Sequence, residues 1–355
     1  MKKTTTLFLI FSIGFFFFSC SKKQGKVSYD EIGASGNTTR TENLANNLQA
    51  FLSKGVMVGQ IYGTLQGVGW TGDSARSDMR SICGVGPACV GYELAGNENG
   101  ADINIDSLSF DAIRKDILYN FNKGGLITAT WSVEPTNDEE LLKSQTKALA
   151  DYLSSLQDDY GIKAPVVLYL YPYSENSAVA SLSSDDYKTL YQKTKELLKE
   201  AEVTNVVFGF STTSSQSTDY IPVDDINIID YRYLCVGQDF DMEKYKETLQ
   251  TNVQSLASFA QERGKALGVT TGVEGIPNPA LFSEVMKPLV ENNMLFYLMF
   301  GQNGGTMENA QFFIPYPGWN NEAIADFSTL RNSKKSIFIN NLNGLYLKSN
   351  QEWKD

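Results

Sequence analysis

Val166-Val-Leu-Tyr-Leu-Tyr-Pro-Tyr-Ser-Glu-Asn176 reads as a buried strand that ends in a carboxylate-bearing tip. Val166–Tyr171 is apolar or aromatic throughout, as a strand covered on both faces is, and Glu175 stands just beyond it. Seven further runs of this character flank it: Val56–Ile61, Val90–Leu94, Leu126–Trp131, Asn205–Ser211, Ile226–Arg232, Ala266–Thr271 and Leu295–Phe300. The seventh of the eight ends in Gly268-Val-Thr-Thr-Gly272, with no carboxylate.

Stretches of helical period fall between these runs. Ile113, Ile117, Leu118 and Phe121 share one face of a helix expected over Phe110–Phe121. Glu139–Leu156 follows the capping candidates Asn137 and Asp138, and Ser183–Ala201 opens on Ser-Ser-Asp-Asp, which suits a helix N-terminus. Met242–Arg263 and Pro279–Glu291 complete the set, while the Ser/Thr-rich Thr212–Val223 reads mostly as loop. Eight strands alternating with helices predict an α/β fold, a (β/α)8 TIM barrel over residues 42–355. A doubly wound open sheet is the runner-up, weakened by the lack of a dinucleotide or Walker pattern after the first strand.

The chain of 355 residues carries a net charge of −11 and no histidine. An acidic chain without a basic stripe is a poor partner for nucleic acid. Without histidine, Ser-His-Asp and Cys-His catalysis are excluded. No Cys/His cluster points to zinc, and no cofactor is expected. Residues 1–20 read as a leader: Lys2 and Lys3, then an apolar run from Leu7 to Phe18 that is too short to span a bilayer. Its end, Phe-Phe-Ser-Cys20, resembles a bacterial lipobox with Cys20 as the lipid attachment site; an ordinary cleaved signal is the alternative. Such a lipid would tether the chain to a bacterial membrane, expected to be the outer one, on either its periplasmic or its surface side. Residues 21–41 are polar and read as a flexible linker. Cys83 and Cys89 flank a short flexible loop and are a disulfide candidate in an exported protein, leaving Cys235 as a free thiol.

In a barrel of this type the functional groups lie at the C-terminal ends of the strands. Those tips present Gln60, Glu93, Trp131, Ser132, Tyr171 to Asn176, Ser211, Thr212, Tyr231, Arg232, Tyr233, Thr270, Thr271, Phe300 and Gln302. Trp70, Tyr316 and Trp319 lie on adjacent loops. Aromatic faces stack on sugar C–H faces, and amides and hydroxyls match sugar hydroxyls, so the pattern suits an oligo- or polysaccharide; core packing is the competing reading for each aromatic.

Several segments, in order, resemble glycoside hydrolase family 26, whose best-known members are endo-β-mannanases. They are Gly55 to Gln60, Ser77-Asp78, Val90-Gly-Tyr-Glu-Leu94, Gly124-Gly125 through Trp131-Ser132, Tyr171-Pro-Tyr-Ser-Glu175-Asn176, Tyr220 to Asn227, Thr271-Gly272-Val-Glu274-Gly-Ile-Pro277 and Phe313-Ile-Pro-Tyr-Pro-Gly318. The resemblance implies that Glu175 holds the general acid/base position and that Thr270 stands where the nucleophilic glutamate belongs. It further implies that Ser174, Ser132 and Gln60 replace family histidines, Tyr171 a family arginine, and Arg232 a family aspartate. A substrate-binding set follows: Gln60, Trp70, Glu93, Trp131, Ser132, Tyr171, Ser174, Tyr231, Arg232, Tyr233 and Trp319.

A retaining glycosidase needs two carboxyl groups about 5–5.5 Å apart. Threonine cannot serve as nucleophile without a strong base. A relocated second carboxyl is the way out: Glu274, or Glu93 or Asp224 in an inverting pair with Glu175. Three readings therefore stand. They are a membrane-anchored glycan-binding protein on a degenerate glycosidase barrel, an active hydrolase of altered mechanism, and a scaffold that partners an outer-membrane glycan transporter.

Overall fold

The computed structural model describes residues 31–73, 76–236 and 240–348. Eight parallel strands close on themselves: β1 (Val56–Ile61), β2 (Cys89–Glu93), β3 (Leu126–Trp131), β4 (Val166–Leu170), β5 (Val206–Thr212), β6 (Ile228–Cys235), β7 (Ala266–Val273) and β8 (Tyr297–Phe300). Each pairs with its sequence neighbour, and β8 returns to β1 with Met57 opposite Tyr297 and Gln60 opposite Phe300. The ring is the expected (β/α)8 barrel, and closure leaves no open edge within it. A short ninth strand, β9 (Ser336–Ile337), lies along the start of β1.

The helices form where capping and periodicity place them. Among them are α1 (Thr39–Phe51), α2 (Asp78–Cys83), α3 (Phe110–Asn122), α4 (Glu139–Ser154), α5 (Ser184–Glu200), α6 (Met242–Glu262), α7 (Lys287–Asn292) and α8 (Asn321–Arg331). Asp138 caps α4 through the amides of Glu140 and Leu141, Ser183 caps α5 through Asp186, and Asp241 caps α6 through Lys244. The fifth crossover is built of short 3-10 turns, Ser215–Tyr220 and Val223–Asp225. The helix expected over Pro279–Glu291 is a π turn at Phe282–Met286 running into α7.

Further differences from the sequence expectation lie at the N-terminal segment, the end of β4 and the cysteines. Thr38 caps α1 and pairs with Ile32, so the end of the polar stretch assigned to a linker is built into the fold and becomes helix at Thr39, not after Thr41. Leu44, Leu48 and Phe51 bury the face of α1 that makes this possible. Strand β4 stops at Leu170, one residue early, because Tyr171 takes a φ of 49° in the left-handed region. Cys83 and Cys89 are both free thiols. Cys89 opens β2 with its sulfur turned toward Gly59 of β1, while the Cys83 sulfur hydrogen-bonds the Met79 carbonyl within its own helix turn. The lipobox and Cys20 lie outside the described residues.

Candidate active site

A cavity of about 550 Å³ opens at the C-terminal ends of the strands, within the range of about 300–1,000 Å³ usual for small-molecule sites. Strand alternation decides what reaches it. On β6, Asp230, Arg232 and Leu234 line the cavity, so Tyr231 and Tyr233 face the helix layer. There Tyr231 stacks on Tyr233, and Tyr233 on Tyr245 of α6, with ring centroids 6.2 and 5.2 Å apart. On β3 and beyond, Thr128, Thr130 and Ser132 point in and Trp131 points out, fully buried. Tyr169 points in, whereas Tyr171, past the end of β4 at a left-handed φ, turns outward, and its hydroxyl shares a 2.9 Å hydrogen bond with Thr194 of α5.

The inward groups form two clusters. At the rim of β2, Glu93 is almost completely committed: Oε1 accepts from the amides of Leu94, Ala95 and Ser132, and Oε2 accepts from Ser132 Oγ at 2.6 Å. Burial pushes its carboxyl up; these donors and the nearby Arg232 charge pull it back. Deeper in the barrel lies Asp230, 3% exposed. Its Oδ1 accepts from Thr270 Oγ1 at 2.9 Å and from the Tyr297 hydroxyl at 2.8 Å, and its Oδ2 from Ser211 Oγ at 3.0 Å. Tyr169 and Tyr297 share a further hydrogen bond of 2.8 Å. Burial raises the Asp230 carboxyl too, against the pull of Arg232 and the three hydroxyls.

Two glycines make the floor possible. Gly209 lies opposite Tyr169 on β5 and Gly268 opposite Tyr297 on β7, and a Cβ at either would run into the facing ring. Gly268→Ala is therefore expected to lower stability by about 1–3 kcal/mol, read by denaturant unfolding, because Tyr297 must leave Asp230 to make room.

Of the residues expected to bind substrate, Glu93, Ser132, Ser174 and Arg232 line the cavity, as does Thr270. Trp131, Tyr231 and Tyr233 lie behind the barrel wall by strand alternation, and Tyr171 does so because the chain turns there. Gln60 is buried and structural, its amide donating to the Gly301 carbonyl and to Asn303 Oδ1. Trp70 sits on a hairpin, its indole donating to Asp78 Oδ1 at 2.8 Å, and Trp319 stacks on Tyr316; neither lines the cavity. Glu175 is exposed and outside the lining, although its neighbours Tyr173 and Ser174 belong to it. Beyond β4 the chain turns with Tyr171, and strand parity no longer governs where residue 175 points.

The relocated carboxyls fare no better. Asp224 precedes β6 and is therefore at the opposite end of the barrel, and Glu274 lies beyond β7, outside the lining. The carboxyls that do line the cavity are Glu93, Asp106, Glu134 and Asp230. Asp230 was not singled out from the sequence, although an acid inside Ile228-Ile-Asp-Tyr-Arg232 is a legible anomaly in an apolar strand. Among the described residues no group of three or more Cys, Asp or Glu side chains is placed to hold a metal ion.

A closed (β/α)8 barrel with hydroxyl and carboxyl groups gathered at its C-terminal mouth defines the class of this protein. Within that class the chain has the fold of glycoside hydrolase family 26. The family 26 β-mannanase of Bacteroides ovatus superposes with a TM-score of 0.81 at 25% identity, covering 89% of this chain and 100% of that one. A family 26 protein from a Muricauda species gives 0.74 at 19% identity over 88% and 94% of the two chains. The catalytic domain of an endo-β-1,4-mannanase from a Bacillus species gives 0.77 at 16% over 88% and 95%. No protein-family model and no curated protein matches the sequence.

Proposed function

We propose that this chain binds a β-mannan-type or related glycan in the barrel mouth and does not cleave it by the retaining route. The Thr270–Asp230 hydrogen bond carries this reading. At the β7 position where the resemblance places a nucleophile, the side chain is a hydroxyl already spent as a donor. A glycosyl-threonine would itself be a glycoside, as hard to hydrolyse as the substrate, whereas the glycosyl ester of a carboxylate is not. Glu175, in the acid/base position, is exposed and outside the cavity lining. The mannanase structures that share the fold support a glycan as the ligand class.

The leader sequence supports a lipid anchor on Cys20 and export to a bacterial membrane, and a complex with an outer-membrane glycan transporter fits a glycan-capturing role. Among the described residues no helix is long and apolar enough to cross a membrane.

Titration calorimetry of the purified chain with β-1,4-mannooligosaccharides and with cello- and xylooligosaccharides tests the reading. Saturable binding of one series without release of reducing ends is the expected result. Turnover that disappears in Glu175→Gln would replace it with the hydrolase reading, and binding of no glycan would favour the scaffold.

A further inference from the structure

Among the described residues, Arg232 is the one cationic side chain that lines the cavity. Its guanidinium offers five N–H donors, yet among the described residues it makes no hydrogen bond and no ion pair. Glu93 and Asp230 feel its charge, but their oxygens are occupied by Ser132, by backbone amides and by the floor hydroxyls. The free donors face cavity space, where a ligand would supply the acceptor.

The surroundings narrow that acceptor. Glu93, Asp106, Glu134 and Asp230 outnumber the single guanidinium, so a carboxylate or sulfate on the ligand meets net repulsion. An ammonium has no lone pair with which to accept from the guanidinium. A neutral oxygen remains. Beside it, Leu234 projects from the same inward face of β6, and Val133, Met299 and Ile105 add further apolar surface to the lining. Ile105 is 62% exposed, an aliphatic side chain at the mouth without a covering group. A neutral acceptor joined to a short alkyl group is an acyl group.

We propose that Arg232 and Leu234 recognise an acyl substituent on the bound sugar, with the carbonyl oxygen accepting from the guanidinium and the methyl group on the aliphatic wall. The inference rests on the glycan-binding reading above and specifies its ligand. An acetyl ester and an acetamide share this chemistry.

Calorimetry with the full mature chain separates the cases. The probes are O-acetylated β-1,4-mannooligosaccharides, the same sample after mild alkaline de-esterification, and N-acetylhexosamine oligosaccharides. An acetylated probe is expected to bind on the order of tenfold more tightly than the de-esterified one. A gain confined to the ester or to the acetamide identifies the source. Arg232→Met and Leu234→Ser should each bring that preference down to about twofold or less. Thermal unfolding confirms that the variants are folded, and Leu234→Ser carries the test if Arg232→Met is not. De-esterified probe bound as tightly as acetylated, or a preference that survives in a folded Arg232→Met, overturns the acyl inference and leaves glycan binding standing. Binding of none of the probes removes both.

Discussion

Thr270→Glu, which places a carboxylate on the inward face of β7, is expected to raise mannan hydrolysis by less than about tenfold, where loss of a catalytic carboxylate ordinarily costs on the order of 10³-fold or more. The reason is Asp230. Thr270 Oγ1 lies 2.9 Å from Asp230 Oδ1, so a carboxylate at 270 would be set against one already buried there. Two carboxylates so close cannot both ionise, and the new glutamate would share a proton instead of attacking an anomeric carbon. The exposed Glu175 also leaves the partner role unfilled inside the cavity. Initial rates of reducing-end release on mannan measure the effect. Thr270→Glu combined with Asp230→Asn should exceed Thr270→Glu alone, since the amide removes the competing charge. Near-family turnover from the single change would show that Asp230 is not the obstacle.

The second large effect concerns Asp230 itself. Replacing it with alanine strips the acceptor from Ser211, Thr270 and Tyr297 together, and a loss of roughly 3 kcal/mol of folding stability is expected from about 1 kcal/mol per abandoned hydroxyl. Asp230→Asn, which keeps an acceptor oxygen, should cost less. The two also differ from wild type in pH dependence. Burial raises the folded-state value of Asp230 above that of the unfolded chain, so the folded state binds the proton more tightly. By linkage its contribution favours the fold at low pH and is lost as pH rises from the ordinary aspartate range through the raised value. The asparagine variant lacks that component, so its stability relative to wild type should improve with rising pH across this window. Denaturant titrations at several pH values give the slope directly, and a difference that runs the opposite way would mean that Arg232 and the hydroxyls outweigh burial.

The barrel was legible because buried parallel strands leave continuous apolar runs separated by turn residues, and eight of them were present. The facing of each strand was not. In Leu168-Tyr-Leu-Tyr171 both tyrosines are equally apolar, and only the closed ring shows that Tyr169 looks inward while Tyr171 looks toward α5. Strand parity separates Asp230 and Arg232 from Tyr231 and Tyr233. Glu93 and Ser132 at strand ends and Thr270 inside β7 were legible because they share the inward parity. Glu175 was placed by resemblance alone, on a loop where no period fixes direction. Cys83 and Cys89 were read from spacing, which does not reveal that Cys89 belongs to a strand and points into the barrel. Helix α1 carried its signal in Leu44, Leu48 and Phe51, but the polar residues before it masked where it begins.

Helix α1 enters beside Thr204, whose carbonyl accepts from the Thr38 amide just ahead of β5, and its Asn47 ties down the carbonyls of Gly344, Leu345 and Leu347. Both ends of the described chain are therefore gathered at the floor of the barrel, opposite the mouth. A lipid on Cys20 would moor the domain by its keel. The opening would then lie at the end of the barrel opposite the attachment.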